Sequence, residues 1–458
     1  MNKWFRLERS GQARWFFLGL VLLLVLAVIG FQVWVSASRS PIRSGNVFTQ
    51  TAERTGTNQP LSTQNLSHLH PLWVSTFAPD IPYDMTVANG IVYLIATGAS
   101  GNGLVVVAVQ DGRRLWRYQM PDLTRYLSTF QVGGDAVYLA MATRIAPYTE
   151  NAIFAVNAHT GQELWQYRST TSIDHLASEN ALLYFSTANE VHALDVKTGK
   201  LQWSYQFSNG SPYSPVEPSL VATSGNLYLA LWTSPYRAGT SLVALDGRTG
   251  NVQWQLQEMG VRSSSLPRAS SFLVENGVIY RRVNYSVPVP NAKAGEDQWH
   301  VTYQVSAVNA TTGKELWQST ESSSHLSGYD MHVAQNLLYT YGLKYIQARD
   351  LSTGQLVWSS GQLKGSDISI EPIVSNGVVY VATEERLAPW SPQHPRYWIY
   401  AFDAQSGKLV RMLEDGDSSF RPGTVKADNE HLYVLGDRLL PGSDNPSGGK
   451  PELDALGV

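Results

Sequence analysis

The sequence predicts an all-β fold: an eight-bladed β-propeller closed by pairing its N-terminal and C-terminal strands, and preceded by one N-terminal transmembrane helix. Two repeated patterns predict the propeller, namely a polar turn with Gly that is followed by Trp, and an apolar strand that contains Tyr. A third feature, one uninterrupted apolar run near the N-terminus, predicts the helix.

The composition of the 458-residue chain suits short strands joined by tight turns. Charged residues make up 16% and aromatic residues 11%, and the chain has 37 Gly and 22 Pro, a mixture typical of β-rich folds. The net charge of −3 gives no reason to expect a nucleic-acid partner. Because the chain has no cysteine, we expect no disulfide, no Cys-ligated zinc and no lipid anchor on a cysteine.

The N-terminal 35 residues contain the predicted membrane segment. Residues 15–35 carry no charge, and a helix of this length, rising about 1.5 Å per residue, crosses a hydrocarbon core of roughly 30 Å. Residues 1–14 hold four basic residues against one acid, which predicts a cytoplasmic basic segment. The predicted localisation is the cell membrane, single-pass, with the C-terminal domain outside the cytoplasm.

A cleaved signal peptide is the alternative to a transmembrane helix or uncleaved signal anchor at residues 15–35, since Val35-Ser36-Ala37 resembles a cleavage site. Residues 36–70 follow, rich in Ser, Thr, Asn, Gln and Gly. With few large apolar residues, this stretch is predicted to be a flexible linker. Two histidines in it, His68 and His70, are too few ligands to predict a metal site.

A turn motif then recurs seven times. It reads AVQDGRRLW (108–116), AVNAHTGQELW (155–165), ALDVKTGKLQW (193–203), ALDGRTGNVQW (244–254), AVNATTGKELW (307–317), ARDLSTGQLVW (348–358) and AFDAQSGKLVR (401–411). Asp or Asn bonds to nearby backbone and Gly takes a positive φ, which makes a hairpin turn. The following strand ends in Trp in six copies and in Arg411 in the seventh.

A second motif precedes each turn and recurs eight times. It is an apolar strand after a short turn, and its tyrosines are Tyr93, Tyr138, Tyr184, Tyr228, Tyr280, Tyr339, Tyr380 and Tyr433. Each repeat therefore predicts four strands, with tight turns after the first and third. The last repeat lacks its fourth strand, and the segment around Trp73 supplies it, so residues 71–458 are predicted to form one closed ring without a free sheet edge.

The repeat of Ala, an acid or amide, Thr-Gly and Trp resembles the quinoprotein-type (pyrroloquinoline-quinone-like, PQQ-like) β-propeller repeat family. The resemblance covers roughly residues 71 to 458, and it extends to the non-enzymatic family members that act as outer-membrane assembly scaffolds. Quinone-dependent dehydrogenases of the family typically carry adjacent cysteines, an aspartate base and a set of calcium ligands. This chain has no cysteine, and we find no carboxylates with the spacing of a calcium loop. No catalytic residue, metal site or cofactor is predicted; PQQ and calcium stay possible.

The candidate binding face lies on the long, variable connections, where recognition residues usually sit on a rigid scaffold. Tryptophans outside the repeat occur there with Tyr and Arg, residue types enriched at interfaces. They also suit sugar stacking, and the alternative is that these rings pack their own loops. The candidate residues are Trp232, Tyr236, Tyr285, Trp299, Trp390, Arg396, Tyr397 and Trp398.

The sequence thus favours a membrane-tethered extracytoplasmic scaffold whose partner is an envelope protein or glycan. Two alternatives stay open: a quinone (PQQ)-dependent dehydrogenase and an envelope carbohydrate-binding module. The repeat motifs specify the fold and carry no catalytic group, so the prediction leans away from an enzyme.

Overall fold

The structure is a computed structural model that describes residues 50–51, 62, 64, 70–77, 80–98, 101–120, 125–143, 151–187, 189–207, 219–233, 239–257, 271–288, 299–321, 331–342, 344–365, 367–385, 397–414, 420–428, 430–438 and 450–457. The predicted basic segment 1–14 and membrane segment 15–35 lie outside these residues. Within the described ranges, no helix combines the length and apolar character needed to span a membrane.

The described residues form 33 strands in eight antiparallel sheets, which we call blades. Blade 1 consists of β3 (Asp80–Ala88), β4 (Ile91–Gly98), β5 (Gly103–Ala108) and β6 (Arg114–Gln119), and blade 2 of β7 (Arg125–Gly133), β8 (Ala136–Thr143), β9 (Asn151–Asn157) and β10 (Glu163–Ser169). Blade 3 consists of β11 (Leu176–Glu179), β12 (Leu182–Ser186), β13 (Glu190–Asp195) and β14 (Leu201–Gln206), and blade 4 of β15 (Ser219–Thr223), β16 (Asn226–Thr233), β17 (Gly239–Asp246) and β18 (Val252–Gln257). Blade 5 consists of β19 (Ser271–Glu275), β20 (Val278–Pro288), β21 (Trp299–Asn309) and β22 (Glu315–Glu321). Blade 6 consists of β23 (Met331–Ala334), β24 (Leu337–Tyr341), β25 (Ile346–Asp350) and β26 (Leu356–Ser359), and blade 7 of β27 (Asp367–Ser375), β28 (Val378–Glu384), β29 (Tyr397–Asp403) and β30 (Leu409–Glu414). Blade 8 consists of β31 (Phe420–Ala427), β32 (Leu432–Arg438), β33 (Lys450–Gly457), β2 (His70–Thr76) and β1 (Gln50–Thr51).

Blade 8 closes the ring with strands from both ends of the described chain. β2 pairs with β33, where Trp73 lies opposite Ala455, and β33 pairs with β32, where Ala455 lies opposite Tyr433. The predicted eight-bladed closure is therefore confirmed. Within the predicted linker, Gln50 and Thr51 pair with β2 as an additional outer strand.

The first strands of the blades form the inner ring. Contacts join β7 to β11, β11 to β15, β15 to β19, β19 to β23, β23 to β27, β27 to β31 and β31 to β3. Between β3 and β7, the Tyr83 hydroxyl donates to Leu127 O at 3.5 Å. The hydrophobic core lies between blades: one cluster joins Tyr93 of blade 1 to Phe154 of blade 2, and another joins Tyr433 of blade 8 to Val105 of blade 1. A single blade therefore cannot bury its own faces.

The turns after the inner strands are two residues long in seven blades and use positive φ. In blade 1, Asn89 and Gly90 have φ of 53° and 71°, and in blade 5, Asn276 and Gly277 have φ of 50° and 75°. Asn and Gly tolerate this left-handed region, and two such residues in succession match the twist of the flanking strands. These turns fix the strand register.

The turns before the outer strands are built around the Asp or Asn of the repeat. In blade 3, Asp195 Oδ1 accepts hydrogen bonds from the backbone N of Thr198 at 2.9 Å and from its Oγ1 at 2.7 Å. Hydrogen bonds from Thr198 hold the pKa of Asp195 below its usual value despite an opposing desolvation effect. Gly199 N then bonds to Asp195 O, and Gly199 has a φ of 67°.

Each repeat Trp reaches from its own outer strand to the turn of the next blade. Trp165 of blade 2 donates Nε1 to Val196 O of blade 3 at 2.8 Å, and its ring lies beneath Gly199. The same bond recurs from Trp73 to Val109, Trp116 to Ala158, Trp203 to Gly247, Trp254 to Ala310, Trp317 to Leu351 and Trp358 to Ala404. We call this the interblade Trp contact.

Arg411 marks the junction where this contact has no counterpart. It occupies the Trp position of blade 7, and the corresponding turn of blade 8 would have to join β33 to β2. Those strands belong to opposite ends of the described chain, so no turn connects them. The departure of the seventh repeat from the Trp pattern thus coincides with the point of ring closure.

Candidate functional site

The two faces of the ring differ in the length of their connections. One face, which we call the tight-turn face, carries the short turns after the first and third strands. The opposite, loop-rich face carries the connections after the second and fourth strands. These are short between Ser186 and Glu190 in blade 3 and long between Pro288 and Trp299 in blade 5 and between Glu384 and Tyr397 in blade 7. The insertions expected from the sequence therefore lie on one face.

Among the strands that the structure describes, the two middle strands of blade 5 are the longest. β20 and β21 are 11 residues long each and pair without a register shift from Val278 opposite Asn309 to Pro288 opposite Trp299. Within the described ranges, the inner strand of the blade pairs with β20 as far as Arg282, and the outer strand pairs with β21 as far as Tyr303. In the part of blade 5 that the structure describes, residues 283–288 and 299–302 pair only with each other, and we call this two-stranded segment the blade-5 arm.

Two predicted site residues lie on this arm. Trp299 lies opposite Pro288 at its tip, and Tyr285 lies opposite Thr302. Antiparallel pairing fixes their backbone positions, whereas an irregular loop would not. The structure thus brings two of the eight candidate residues onto one ordered element.

Two adjacent arginines lie at the base of the blade-5 arm, and one of them bonds to the neighbouring blade. Arg282, 2% exposed, donates from Nη1 to Tyr341 O of blade 6 at 2.9 Å. Arg281 donates from Nε to Ser306 Oγ within the blade, also at 2.9 Å. A buried charge requires such hydrogen bonds. We did not single out these arginines from the sequence, although two arginines inside an otherwise apolar Tyr strand were a visible signal.

The remaining candidates are distributed over other blades. Trp232 lies near the end of β16 in blade 4, opposite Thr240, and Tyr397 begins β29 in blade 7, opposite Glu384. Tyr236, Trp390 and Arg396 lie outside the described residues. The structure therefore places the described candidates on blades 4, 5 and 7 and shows no single cluster of them.

Trp398 differs from the expectation of a residue on an exposed face. Its side chain is only 5% exposed and packs with Tyr339, Ile346 and Tyr400 in the core between blades 6 and 7. It lies in β29 opposite Thr383, so the strand begins earlier than the sequence suggested. Its Nε1 and the Thr383 Oγ1 are buried without a hydrogen-bond partner among the described residues, which is uncommon for buried polar atoms.

The described residues show no group of ligands for the calcium ion that would accompany a quinone cofactor. Calcium takes six to eight oxygen ligands, largely carboxylates, and no three His, Asp or Glu side chains in the described part of the chain converge on one point. On the inner strands, burial lowers the pKa of His332, and the positive charge of Lys426 lowers it further. We therefore assign no chemical step to such a cofactor.

Comparison with solved structures supports the fold. BamB from Moraxella catarrhalis is 14% identical, with a TM-score of 0.55, and the match covers 85% of this chain and 100% of that one. The quinohemoprotein alcohol dehydrogenase from Comamonas testosteroni is 12% identical, also with a TM-score of 0.55, over 89% of this chain and 78% of that one. Identities this low establish the shared propeller and no activity.

Sequence relatives match over shorter regions. An uncharacterized protein of Rickettsia prowazekii is 24% identical over 189 residues, covering 38% of this chain and 42% of that protein. The serine/threonine-protein kinase AfsK of Streptomyces griseus is 26% identical over 152 residues, covering 31% of this chain and 18% of the kinase. The chain thus spans less than half the length of these relatives.

A family model matches most of the propeller. The model described as outer membrane protein assembly factor BamB matches residues 70–177, 149–304 and 301–434, which takes in the turn and Tyr motifs of nearly every blade. The resemblance to PQQ-like propeller repeats expected from these motifs is confirmed. The chain belongs to the outer membrane protein assembly factor BamB family.

Proposed function

We propose that this protein is a membrane-tethered, extracytoplasmic scaffold that binds an envelope protein through its loop-rich face. Its family, described as an outer membrane assembly factor, supports a role in protein assembly. The apolar segment 15–35 after a basic N-terminus supports the tether and the location. The ring supplies a rigid support for the recognition elements.

The blade-5 arm is the observation that carries the proposal. Among the described residues, it continues beyond the four-stranded sheet as two strands, and its two edges there have no described strand beside them. Such edges pair readily with an extended segment of another protein. Arg282 holds the base of the arm against blade 6, which limits the entropy lost when a partner binds.

The aromatic residues of the arm add side-chain recognition to this edge. Trp and Tyr are enriched among the residues that contribute most binding energy at protein interfaces. Trp299 and Tyr285 have fixed positions along the strands, and a paired segment would run directly past them. A protein partner that contributes a strand accounts for both the edge and the aromatics, whereas a glycan accounts only for the aromatics.

Site-specific photocrosslinking in intact membranes tests the proposal. A photoreactive amino acid is placed at position 299 of the full-length protein, and a matched one at Thr311, which is exposed on the tight-turn face of the same blade. We expect position 299 to capture envelope-assembly proteins and Thr311 not to. Crosslinks equal at both positions, or only to polysaccharide at 299, would contradict the proposal.

A dehydrogenase is the second function tested by the same preparation. The shared propeller of the quinohemoprotein alcohol dehydrogenase motivates this test. The purified full-length protein is mixed with pyrroloquinoline quinone and calcium, and the absorbance spectrum and oxidation of alcohols are followed. Stoichiometric quinone binding with substrate oxidation would overturn the scaffold proposal, and the absence of both is expected.

A further inference from the structure

A cleft opens on the tight-turn face between blades 2 and 3. Its volume is about 510 Å³, within the range of small-ligand sites. It is bounded by the turn at Gly134 and Asp135 in blade 2 and by Glu179 and Lys197 of blade 3, with Tyr138 and Leu164 also lining it. It lies on the face opposite to the blade-5 arm, and so is separate from the recognition surface proposed above.

Hydrogen bonds bridge the tight turns at other junctions. Between blades 3 and 4, Glu179 Oε2 accepts from Gly225 N at 3.0 Å. Between blades 6 and 7, Gln405 Nε2 donates to Gln335 O at 2.9 Å. Blade 2 has Gly133 where blade 3 has Glu179, so it has no carboxylate at that position to make the bridge that Glu179 makes.

Lys197 in blade 3 occupies the position that Gln405 has in blade 7, two residues after the Asp of the repeat. Among the described residues, its side chain makes no hydrogen bond or ion pair to the turn of blade 2. The junction between blades 2 and 3 therefore stays open where the equivalent junction between blades 6 and 7 is bridged.

The hydroxyl of Tyr138 lies at this cleft without a hydrogen-bond partner among the described residues. The equivalent Tyr184 donates to Gly247 O of the next blade at 3.1 Å, and Tyr339 donates to Ala404 O at 3.1 Å. For Tyr138 the equivalent acceptor is Val196 O of blade 3, which, among the described residues, accepts a side-chain hydrogen bond only from Trp165. Tyr138 as a residue is 2% exposed, but its hydroxyl oxygen is not among the fully buried atoms without a partner. The oxygen therefore keeps some access, and a ligand in the cleft can bond to it.

The charged side chains that line the cleft are mainly negative. Two carboxylates, Asp135 and Glu179, line the cleft against the single ammonium of Lys197, which leaves a net charge of −1. Asp135 is open to solvent, with His159 Nε2 3.6 Å from its Oδ1. Burial, with the negative charge of Asp195, raises the pKa of Tyr138 to about 12, so the phenol is neutral and its oxygen can accept while its proton is donated.

One wall of the cleft is apolar. Leu164 is 52% exposed, and it offers an aliphatic surface beside the carboxylates. Lysine and arginine bury their methylene stems on apolar surface while their charged ends meet polar groups. The cleft therefore suits a lysine or arginine side chain, since it offers an apolar wall for the stem and two carboxylates and a hydroxyl for the charged end.

We propose that the cleft between blades 2 and 3 binds a lysine or arginine side chain of a second protein, with Asp135, Glu179 and the Tyr138 hydroxyl receiving its charged end and Leu164 contacting its stem. The scaffold then engages separate partners on its two faces. Failure of this site leaves the proposal for the blade-5 arm intact, since the two occupy opposite faces.

Saturation-transfer NMR on the full-length protein tests the site with the tripeptide Gly-Arg-Gly as probe. Signal transfer to the arginine methylene protons is expected, and Gly-citrulline-Gly, which has the same shape without charge, should bind about tenfold more weakly or worse. Equal transfer to the two peptides would overturn the proposal.

Variants locate the signal. Gly134→Asn places a side chain at the mouth of the cleft, and the turn accepts it because Asn180 holds the equivalent position in blade 3 with a φ of 54°. Tyr138→Phe removes the hydroxyl and Leu164→Ala removes the wall; each of the three should abolish or strongly reduce transfer. Leu316→Ala is the matched control, since Leu316 precedes its Trp in blade 5 and is 54% exposed. A signal that survives Gly134→Asn and Tyr138→Phe, or that falls equally in Leu316→Ala, would place the peptide elsewhere and refute the site.

Discussion

The indole of Trp165 in blade 2 packs directly beneath Gly199 in blade 3. A Cβ at Gly199 would lie 2.6 Å from Cε3 of the indole, closer than real side chains approach. The same arrangement recurs wherever a repeat Trp meets the turn of the next blade, from Gly112 over Trp73 to Gly407 over Trp358. The glycine of the repeat therefore serves two purposes: it takes a positive φ, and it leaves room for the neighbouring blade.

Substituting Gly199 should separate these two purposes. Gly199→Ala is expected to lower the free energy of unfolding by roughly 2–5 kcal/mol. The new methyl group would be strained in the left-handed backbone conformation and would also overlap the Trp165 ring. Gly90→Ala is the matched control, because Gly90 has a φ of 71° and open space around its Cβ position. It should lose only about 1–2 kcal/mol. Equal losses in equilibrium denaturation would show that the Trp contact contributes nothing.

Two buried tryptophans allow the interblade hydrogen bond to be measured. Trp358 and Trp398 are 8% and 5% exposed; Trp358 donates to Ala404 O at 2.9 Å, whereas Nε1 of Trp398 has no partner among the described residues. Trp358→Phe removes a hydrogen bond as well as part of the buried ring, whereas Trp398→Phe removes only part of the buried ring. The loss in unfolding free energy should therefore be about 1 kcal/mol larger for Trp358→Phe than for Trp398→Phe. Urea denaturation of both variants checks this. A larger loss for Trp398→Phe would mean that its Nε1 is satisfied in solution.

Asp428 in blade 8 should make stability depend on acid pH. Burial opposes its ionisation, but hydrogen bonds from His431, Tyr433 and the backbone of Glu430 outweigh this and lower its pKa from 3.8 to about 2. Because the pKa is lower in the folded state, the ionised group stabilises the fold above pH 3.8, and this contribution is lost as the pH falls towards 2. Since the carboxylate is partly open to solvent, the contribution is on the order of 1 kcal/mol.

Asp428→Asn is the test of this contribution. The amide keeps the shape and one acceptor but does not titrate, so the fall in unfolding free energy between pH 4 and pH 2 should be smaller in the variant than in the parent by about that amount. Denaturation curves at several pH values measure it. Identical pH profiles for the two proteins would show that Asp428 titrates alike in the folded and unfolded chain.

Ring closure depends on β33, which lies between β2 and β32. Ala455→Pro removes a backbone donor from this central strand at a fully buried position, and we expect a loss of about 3 kcal/mol or more. Leu201→Pro is the control, since Leu201 is the first residue of the outer strand β14, where Pro is tolerated. Rapid proteolysis near Trp73 in Ala455→Pro alone would report an opened ring, and equal protection of both variants would argue against the seal.

The sequence by itself determined the fold and the number of blades. Each turn is specified by a few adjacent residues, such as Asp195, Thr198 and Gly199, whose hydrogen bonds and φ values are local. Turns specified by adjacent residues can be predicted from a single sequence. Because the motifs repeat, the number of blades could be predicted as well, including the completion of blade 8 by the segment around Trp73. The same pattern separated the tight turns from the variable connections.

Only the tertiary structure decided that one of the candidate aromatic residues is buried and which Tyr hydroxyls are hydrogen-bonded. Trp398 was grouped with Trp299 from its place beside a long connection, yet it packs between blades 6 and 7 whereas Trp299 lies at the tip of the blade-5 arm. Likewise, no spacing in the sequence indicates that Tyr138 lacks the bond that Tyr184 makes, or that Gly134 leaves a cleft open. Burial and hydrogen-bond partners depend on residues brought from distant blades, and these relationships exist only once the ring is closed.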